Sequence, residues 1–374
     1  IMNKAKIIFG FLPLLVAGFL LQDNSLIDGM SSPFRYDGPY VLYKNDKVYV
    51  NYIFDDKGVK TVQTDSVPVS EKNHLVLKIA TDIPGKEFSV QLKSKLHNEK
   101  NDFRKVSKQL AISDIEGTFS AFRKLLQGNN VIDDNFNWTF GDGHLVLTGD
   151  FFDRGDRVTE VLWLIYSLEE QAKAAGGYVH FVLGNHEIMN LNGDLRYVHS
   201  KYMGNAGLLN ENYLALYGEQ SELGRWLRTK NVMQKVGNVL YVHGGVSSVV
   251  NSMELSVSKV NELVRPFYGD TTYNYPDLKV DVLYSDLGPF WYRGYYINKH
   301  KASQQQIDST LFQFGVKYIA TGHTIVADTI STSFNKKLFN TDVPHYKGHS
   351  EALYIEKGSF YRVNVTGEKF LIAE

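Results

Sequence analysis

The alternation of apolar and polar positions changes character once along this chain, near residue 109. Before that point, residues 34–65 alternate with a period of two between turn signals. The pattern predicts strands at 40–43, 48–54 and 59–64, with turns at Asn45-Asp46 and Asp56-Lys57-Gly58. Short runs at 75–80 and 88–92 add two more strands. Together they read as a small β meander or sandwich, a packing module rather than a site. The Lys-rich stretch 93–108 reads as a solvated connector.

Beyond residue 109 the texture becomes strand, loop, helix. Apolar runs at 110–112, 145–148, 178–183, 239–242 and 318–321 have strand composition. Helical stripes lie between them: Phe119, Phe122 and Leu126 before Gly128; Val158, Val161, Leu162, Ile165 and Leu168 before Gly176-Gly177; and Ile307, Leu311 and Phe314 before Gly315. Past Gly322 short strands return, with Lys357-Gly358 and Thr366-Gly367 as hairpin turns. The expected organisation is an accessory β domain and linker at 33–108 and an α/β (α+β) domain at 109–374.

Each of the five apolar runs leads directly into a polar cluster. They are Asp114-Ile115-Glu116-Gly117, Gly149-Asp150-Phe151-Phe152-Asp153-Arg154-Gly155, Gly184-Asn185-His186-Glu187, His243-Gly244-Gly245 and Gly322-His323-Thr324. The carboxyl ends of neighbouring strands in an α/β sheet converge on one crevice, so these clusters predict an oxygen and nitrogen metal cage. Asp, Asn and His together suit Mn, Fe or Zn better than Ca or Mg. Two such ions ~3.5–4 Å apart can clamp a phosphate and generate hydroxide for in-line attack. Singly, each cluster reads as a turn; five in order, each after a strand, do not. His144, His180, His199 and His349 lack that setting and read as structural.

Composition narrows the chemistry. The chain has 374 residues and no cysteine, which removes thiolate nucleophiles, disulfides, thiolate zinc sites and a lipidated N-terminal cysteine. Forty basic residues against 41 acidic ones leave no global field to recruit nucleic acid or anionic lipid. At the N-terminus, Lys4 and Lys6 precede an uncharged apolar run at 7–21, interrupted by Pro13 and shorter than the ~20 residues that span a bilayer. Residues 1–24 therefore read as a signal peptide or N-terminal anchor. The expected location is exported and periplasmic, with membrane attachment only through an uncleaved N-terminal segment.

The stretches G-D-F-F-D-R-G at 149–155 and G-N-H-E at 184–187 resemble calcineurin-like metallophosphoesterases, within them the phosphoprotein phosphatase branch. G-D-L-R-Y at 193–197 and G-P-F-W-Y-R-G-Y at 288–295 are similar to the Shewanella-like phosphatases, whose bacterial members include phosphotyrosine phosphatases. The resemblance runs from residue 110 to the C-terminus. It implies a four-layer αββα sandwich with a dimetal site at the rim of its two sheets. It implies Asp114 on the first metal, Asp150 bridging both, and Asn185, His243 and His323 on the second. It also implies His186 as general acid, Asp153 orienting its ring, and Arg154 and Arg293 holding phosphate oxygens. The implied reaction is hydrolysis of phosphoproteins, at phosphotyrosine and/or phosphoserine/threonine, by hydroxide that the metals activate. The absent cysteine closes the cysteinyl-phosphate route.

One position departs from the family. Its first motif usually carries His two residues after Asp, and this chain carries Glu116. A carboxylate there is expected to ligate the first metal, lower its Lewis acidity and favour harder ions. The alternatives are a one-metal site or a Glu that no longer binds. Two other readings stand beside the phosphoprotein one. Dinucleoside tetraphosphate hydrolases share the G-D-x-x-D-R-G and G-N-H-E pattern, which allows a nucleotide or small-ester phosphatase. A non-catalytic binding module, with Glu116 marking a degenerate site, is the second. The 291–296 aromatic stretch reads either as a cleft wall that stacks a substrate ring or as a packed loop.

Overall fold

The computed structural model describes residues 35–297 and 301–374. The expected signal segment at 1–24 lies outside the described residues, among which no helix is long and apolar enough to cross a membrane. Strands β1 (Arg35–Lys44), β2 (Lys47–Asp56) and β3 (Val59–Pro68) form an antiparallel sheet, and β4 (Val76–Ala80) pairs with β5 (Glu87–Gln91). Asn45 and Asp46 both take φ near +50 to +60°, the backbone that a tight hairpin turn demands.

The remaining strands, in chain order, are β6 (Asp102–Phe103), β7 (Lys108–Ile112), β8 (His144–Thr148), β9 (Tyr178–Val182), β10 (Met233–Val236), β11 (Val239–Val242), β12 (Tyr318–Thr321), β13 (Ser331–Ser333), β14 (Leu338–Asn340), β15 (Glu351–Glu356), β16 (Ser359–Asn364) and β17 (Lys369–Ala373). They build two six-stranded sheets, ordered β13-β14-β12-β11-β10-β6 and β17-β16-β15-β7-β8-β9. Strands β7, β8 and β9 run parallel in one sheet, and β11, β12 and β14 in the other.

The period of two along each strand explains how the sheets stack. Small or slender side chains (Ala111, Val146, Val182, Ala320) point into a core between the sheets, together with Tyr241, Phe339 and Leu353. Their neighbours Leu110, Ile112, Leu145, Leu147, Leu240, Val242 and Ile319 point outward into a second core shared with the helices. Helices α1 (Phe119–Gly128) and α2 (Val158–Ala174) bury their apolar sides in that outer core, and the helix Val257–Val264 lies on β10. The mixed α/β architecture with facing sheets and outer helices follows.

Two segments behave differently from the pattern. The stripe on α2 predicts one buried side, yet Trp163, Leu164, Tyr166, Glu160 and Glu169 are buried as well. The N-terminal strands cover the other side: Trp163 Nε1 donates to Pro39 O at 2.9 Å, and the Tyr43 and Tyr166 hydroxyls both donate to Glu222. The 93–108 stretch is not merely a solvated connector. Lys93 and Glu99 are buried in an ionic network with Glu169 and Lys230, and β6 pairs parallel to β10. Lys93 and Glu99 meet internal partners, which a count of lysines does not show.

Candidate active site

All five polar clusters reach one place, because the parallel strands that precede them end at the same rim. The backbone there is held against its own preference. Asp114, Glu116, Asp150, Asp153, Arg154 and His323 take φ values of 52, 46, 60, 69, 57 and 70°. Left-handed backbone costs a residue with a side chain roughly 1–2 kcal/mol, so the surrounding fold must impose it. Two glycines make the close approach possible. A Cβ on Gly184 would meet Asp150 Oδ1 at 2.3 Å, and one on Gly149 would meet His243 Nδ1 at 2.5 Å. Glu187 clamps the same junction, accepting backbone N–H groups from Asp150 (2.9 Å), Phe151 (2.7 Å) and Gly184 (2.7 Å).

The helix α3 (Asn185–Asn192) starts directly after β9 and carries His186, the imidazole of the acid-base pair. His186 Nδ1 lies 2.6 Å from Asp153 Oδ2, which leaves Nε2 facing the cavity, 3.7 Å from Asp150 Oδ2. One turn on, Asn190 Nδ2 donates to the other Asp153 oxygen at 2.8 Å and takes its own orientation from the Tyr213 hydroxyl. Burial pulls the His186 imidazole down, but Asp150, the Asp153 hydrogen bond and Glu116 outweigh it and raise it to about 9. The Asp153 contact favours the protonated ring and leaves Nε2 poised to give a proton.

Behind this pair the donor atoms of Asp150, His243 and His323 lie within 4.8 Å of one another, as do those of Glu116, Asp150 and His186. His243 Nδ1 donates to the Thr148 carbonyl at 2.8 Å, so Nε2 faces Asp150 Oδ2 and Asn185 Oδ1, both at 3.0 Å. Asp114 accepts the His323 backbone N–H through both oxygens, at 3.2 and 3.1 Å.

The donor set fits divalent cations on three counts. His323 Nε2 donates to Trp291 O at 3.1 Å, and its buried Nδ1 has no hydrogen-bond partner. Burial, His243 and Arg293 hold that imidazole well below its usual range, so Nδ1 keeps a free lone pair. Glu116 is pushed up to about 8 by burial, against the pull of Arg154 and with Asp114 and Asp150 adding to the rise. A carboxyl so placed ionises when positive charge arrives. The carbonyl contact that fixes the His243 ring is the outer-sphere bond typical of a ligating imidazole.

A cavity of about 220 Å³ opens over these groups, lined by Asp114, Glu116, Asp150, Arg154, His186, Arg293, His323 and Asp342 among others. Arg154 is half exposed and pairs with Glu116 at 3.1 Å, while Arg293 donates to His323 O and to Thr324 Oγ1. Every residue proposed from sequence is thus brought together, with Asn185 and His243 on the floor and Asp153 behind His186. Asp342 was missed. It is 4% exposed, none of its carboxylate oxygens receives a hydrogen bond among the described residues, and burial beside Asp114, Glu116 and Asp150 raises it well above the usual range. It follows β14, parallel to β12, so the strand-then-polar rule reaches it. The two-residue apolar run Leu338-Phe339 was too short to notice. Asn190 was also legible, four residues after His186 on one helix face. Trp291 borders a separate cavity of about 440 Å³ with Tyr284, Asp286 and Arg293, beside the reaction centre.

Comparison with known proteins places this geometry. The sequence model of the calcineurin-like phosphoesterase family matches residues 107–327. The chain is 28% identical over 247 residues to Shewanella-like protein phosphatase 1 of Plasmodium berghei, covering 63% of this chain and 66% of the relative. It is 26% identical over 297 residues to Shewanella-like protein phosphatase 2 of Arabidopsis thaliana, covering 67% and 74%. Its fold superposes on the crystal structure of a cold-active protein-tyrosine phosphatase from a psychrophilic Shewanella with a TM-score of 0.81 and 35% identity, covering 90% of this chain and 99% of that one. With the family match spanning more than half of its length, the chain belongs to the calcineurin-like phosphoesterase family and is a hydrolase of the phosphatase type.

Proposed function

We propose that this phosphatase dephosphorylates phosphoproteins, at phosphotyrosine and/or phosphoserine/threonine, using two divalent cations. The observation that carries the reading is the juxtaposition of the hydrogen-bonded His186-Asp153 pair with two guanidinium groups and the Asp150-centred donor cluster, in a chain that matches a protein-tyrosine phosphatase across almost all of that protein. Asp114, Glu116 and Asp150 would hold one cation, and Asp150, Asn185, His243 and His323 would hold the other. Mn, Fe or Zn suits this mixture of carboxylate, amide and imidazole. When bound, such ions supply charge that holds the phosphoryl group and acidifies an attacking water.

The chain's own groups account for the rest. Arg154 and Arg293 approach the cavity from two sides and hold phosphoryl oxygens, where a planar guanidinium gives paired contacts. His186 Nε2 protonates the departing oxygen while Asp153 keeps Nδ1–H directed away from it. Asn190 and Tyr213 keep Asp153 in place, and Glu187 keeps the loops after β8 and β9 in register. Export of the mature protein is a companion proposal, supported by the basic and apolar order of residues 1–24.

Initial rates on a phosphotyrosine peptide, a phosphoserine peptide and a dinucleoside polyphosphate test the substrate class. The phosphopeptides are expected to be preferred. A clear preference for the dinucleoside polyphosphate overturns the reading in favour of a nucleotide phosphatase.

A further inference from the structure

The G-D-L-R-Y stretch after α3 takes no part in the chemistry above, yet it folds onto the site. Gly193 at φ 92° ends α3 and turns the chain back, and Tyr197 O then accepts the Arg154 backbone N–H at 3.0 Å. The Tyr197 ring centroid lies 5.2 Å from the His186 ring, tilted by 43°. Arg154 Cζ and Arg196 Cζ sit 5.7 and 5.6 Å from the same ring, and Arg196 is itself held by Asp194 through contacts of 2.8 and 2.7 Å. The ring is steadied by its neighbours and still 44% exposed, and its hydroxyl has no partner among the described residues.

We propose that Tyr197 is the leaving-group platform: its ring packs against the aryl ring of the substrate, so that aryl phosphate monoesters, phosphotyrosine among them, are favoured over alkyl ones. This rests on His186 as the proton donor. A departing oxygen must come within ~2.6–3.2 Å of His186 Nε2 to be protonated. A phenolic oxygen carries its ring one bond away, and the ring must therefore lie beside the imidazole, where Tyr197 stands. The departing oxygen of phosphoserine brings only a methylene and the backbone to that place. The other aromatic groups near the cavity serve less well. Trp291 stands against His323, 5.9 Å between ring centroids, and Tyr346 lines the cavity while none of the ring contacts among the described residues joins it to His186.

The test is kcat/KM for one peptide sequence carrying phosphotyrosine or phosphoserine, with Tyr197→Ala, Tyr197→Phe and Tyr346→Ala compared to the parent, plus inhibition by inorganic phosphate. An aromatic pair beyond simple area burial contributes on the order of a tenfold preference. Tyr197→Ala is expected to lower the phosphotyrosine-to-phosphoserine ratio about tenfold, Tyr197→Phe to preserve it, and the inhibition constant of phosphate to stay put. The proposal fails if the ratio survives in Tyr197→Ala, or if it collapses in Tyr346→Ala instead. It also fails if both substrates weaken together while phosphate inhibition weakens in parallel, since Tyr197 then merely holds Arg154. Should neither peptide be a substrate, the phosphoprotein reading falls separately. The same ratio is then read with p-nitrophenyl phosphate against glycerol phosphate.

Discussion

Glu116 and Arg154 form an ion pair 3.1 Å long at the edge of the reaction cavity, with the carboxylate largely buried and the guanidinium half in solvent. The pair ties a candidate cation ligand to a candidate phosphate clamp, at a position where the family usually has a neutral histidine. Glu116→His removes the tie and replaces a hard anionic donor by an imidazole. The variant is expected to shift metal preference from Mn towards Zn by several-fold, measured as metal retained after incubation with equimolar ions. Inorganic phosphate is expected to inhibit it more strongly, because Arg154 no longer has a competing anion.

The His186-Asp153 contact of 2.6 Å makes a graded prediction about leaving groups. His186→Ala is expected to lose ~10²–10⁴-fold on alkyl phosphates and far less on p-nitrophenyl phosphate, whose phenolate leaves without help. Asp153→Asn removes one of the anions that raise the imidazole. The Asp153 hydrogen bond favours the acid form of His186, so the alkaline limb of kcat should move to lower pH in that variant.

Asp342 yields two outcomes of opposite sign. Its carboxylate is buried beside three others, so in chelator Asp342→Asn is expected to raise thermal stability, by about 1 kcal/mol, since burial and like-charge repulsion outweigh the pull of Arg293. The same substitution is expected to weaken Mn binding by about tenfold, as one opposite charge near an ion contributes on the order of 1–2 kcal/mol at partly solvated sites. Calorimetric titration with Mn and melting curves in chelator read both.

The buried His144-His180 pair, 2.7 Å apart with His180 continuing to Gln234 at 2.6 Å, governs part of the acid stability. Burial lowers His144 to about 4 and His180 well below its usual range, so both bind protons more readily once unfolded. Their contribution is complete above the unfolded value near 6.5 and is lost as pH falls towards about 4. Glu160 and Glu187, raised to about 7 mainly by burial, act in the opposite direction over part of that window. The readable quantity is therefore the stability difference between parent and His144→Gln, which should shrink as pH falls from 6.5 to 4 in urea melts.

What was legible in the sequence was legible because strand ends and polar clusters are local. Asp114, Asp150, Asn185, His243 and His323 each follow an apolar run by one to three residues, and the parallel pairing of those runs does the rest. Asp342 escaped because β14 offers only two apolar residues before its polar end. The burial of α2 on both sides escaped because its second cover comes from strands more than a hundred residues upstream, through contacts such as Trp163 to Pro39. Tyr197 appeared in the sequence only as part of a resemblance; its place beside His186 depends on the turn at Gly193, which no periodicity encodes.

The central claim is that the Asp150-centred cluster holds divalent cations on which phosphomonoester hydrolysis depends. Turnover of p-nitrophenyl phosphate by fully chelated protein, titrated with Mn, tests it most directly. The account predicts no turnover after chelation and recovery that saturates at two ions per chain, with Asp150→Asn recovering nothing. Turnover that persists in the chelated protein, or an Asp150→Asn variant that recovers with the same stoichiometry, would contradict it.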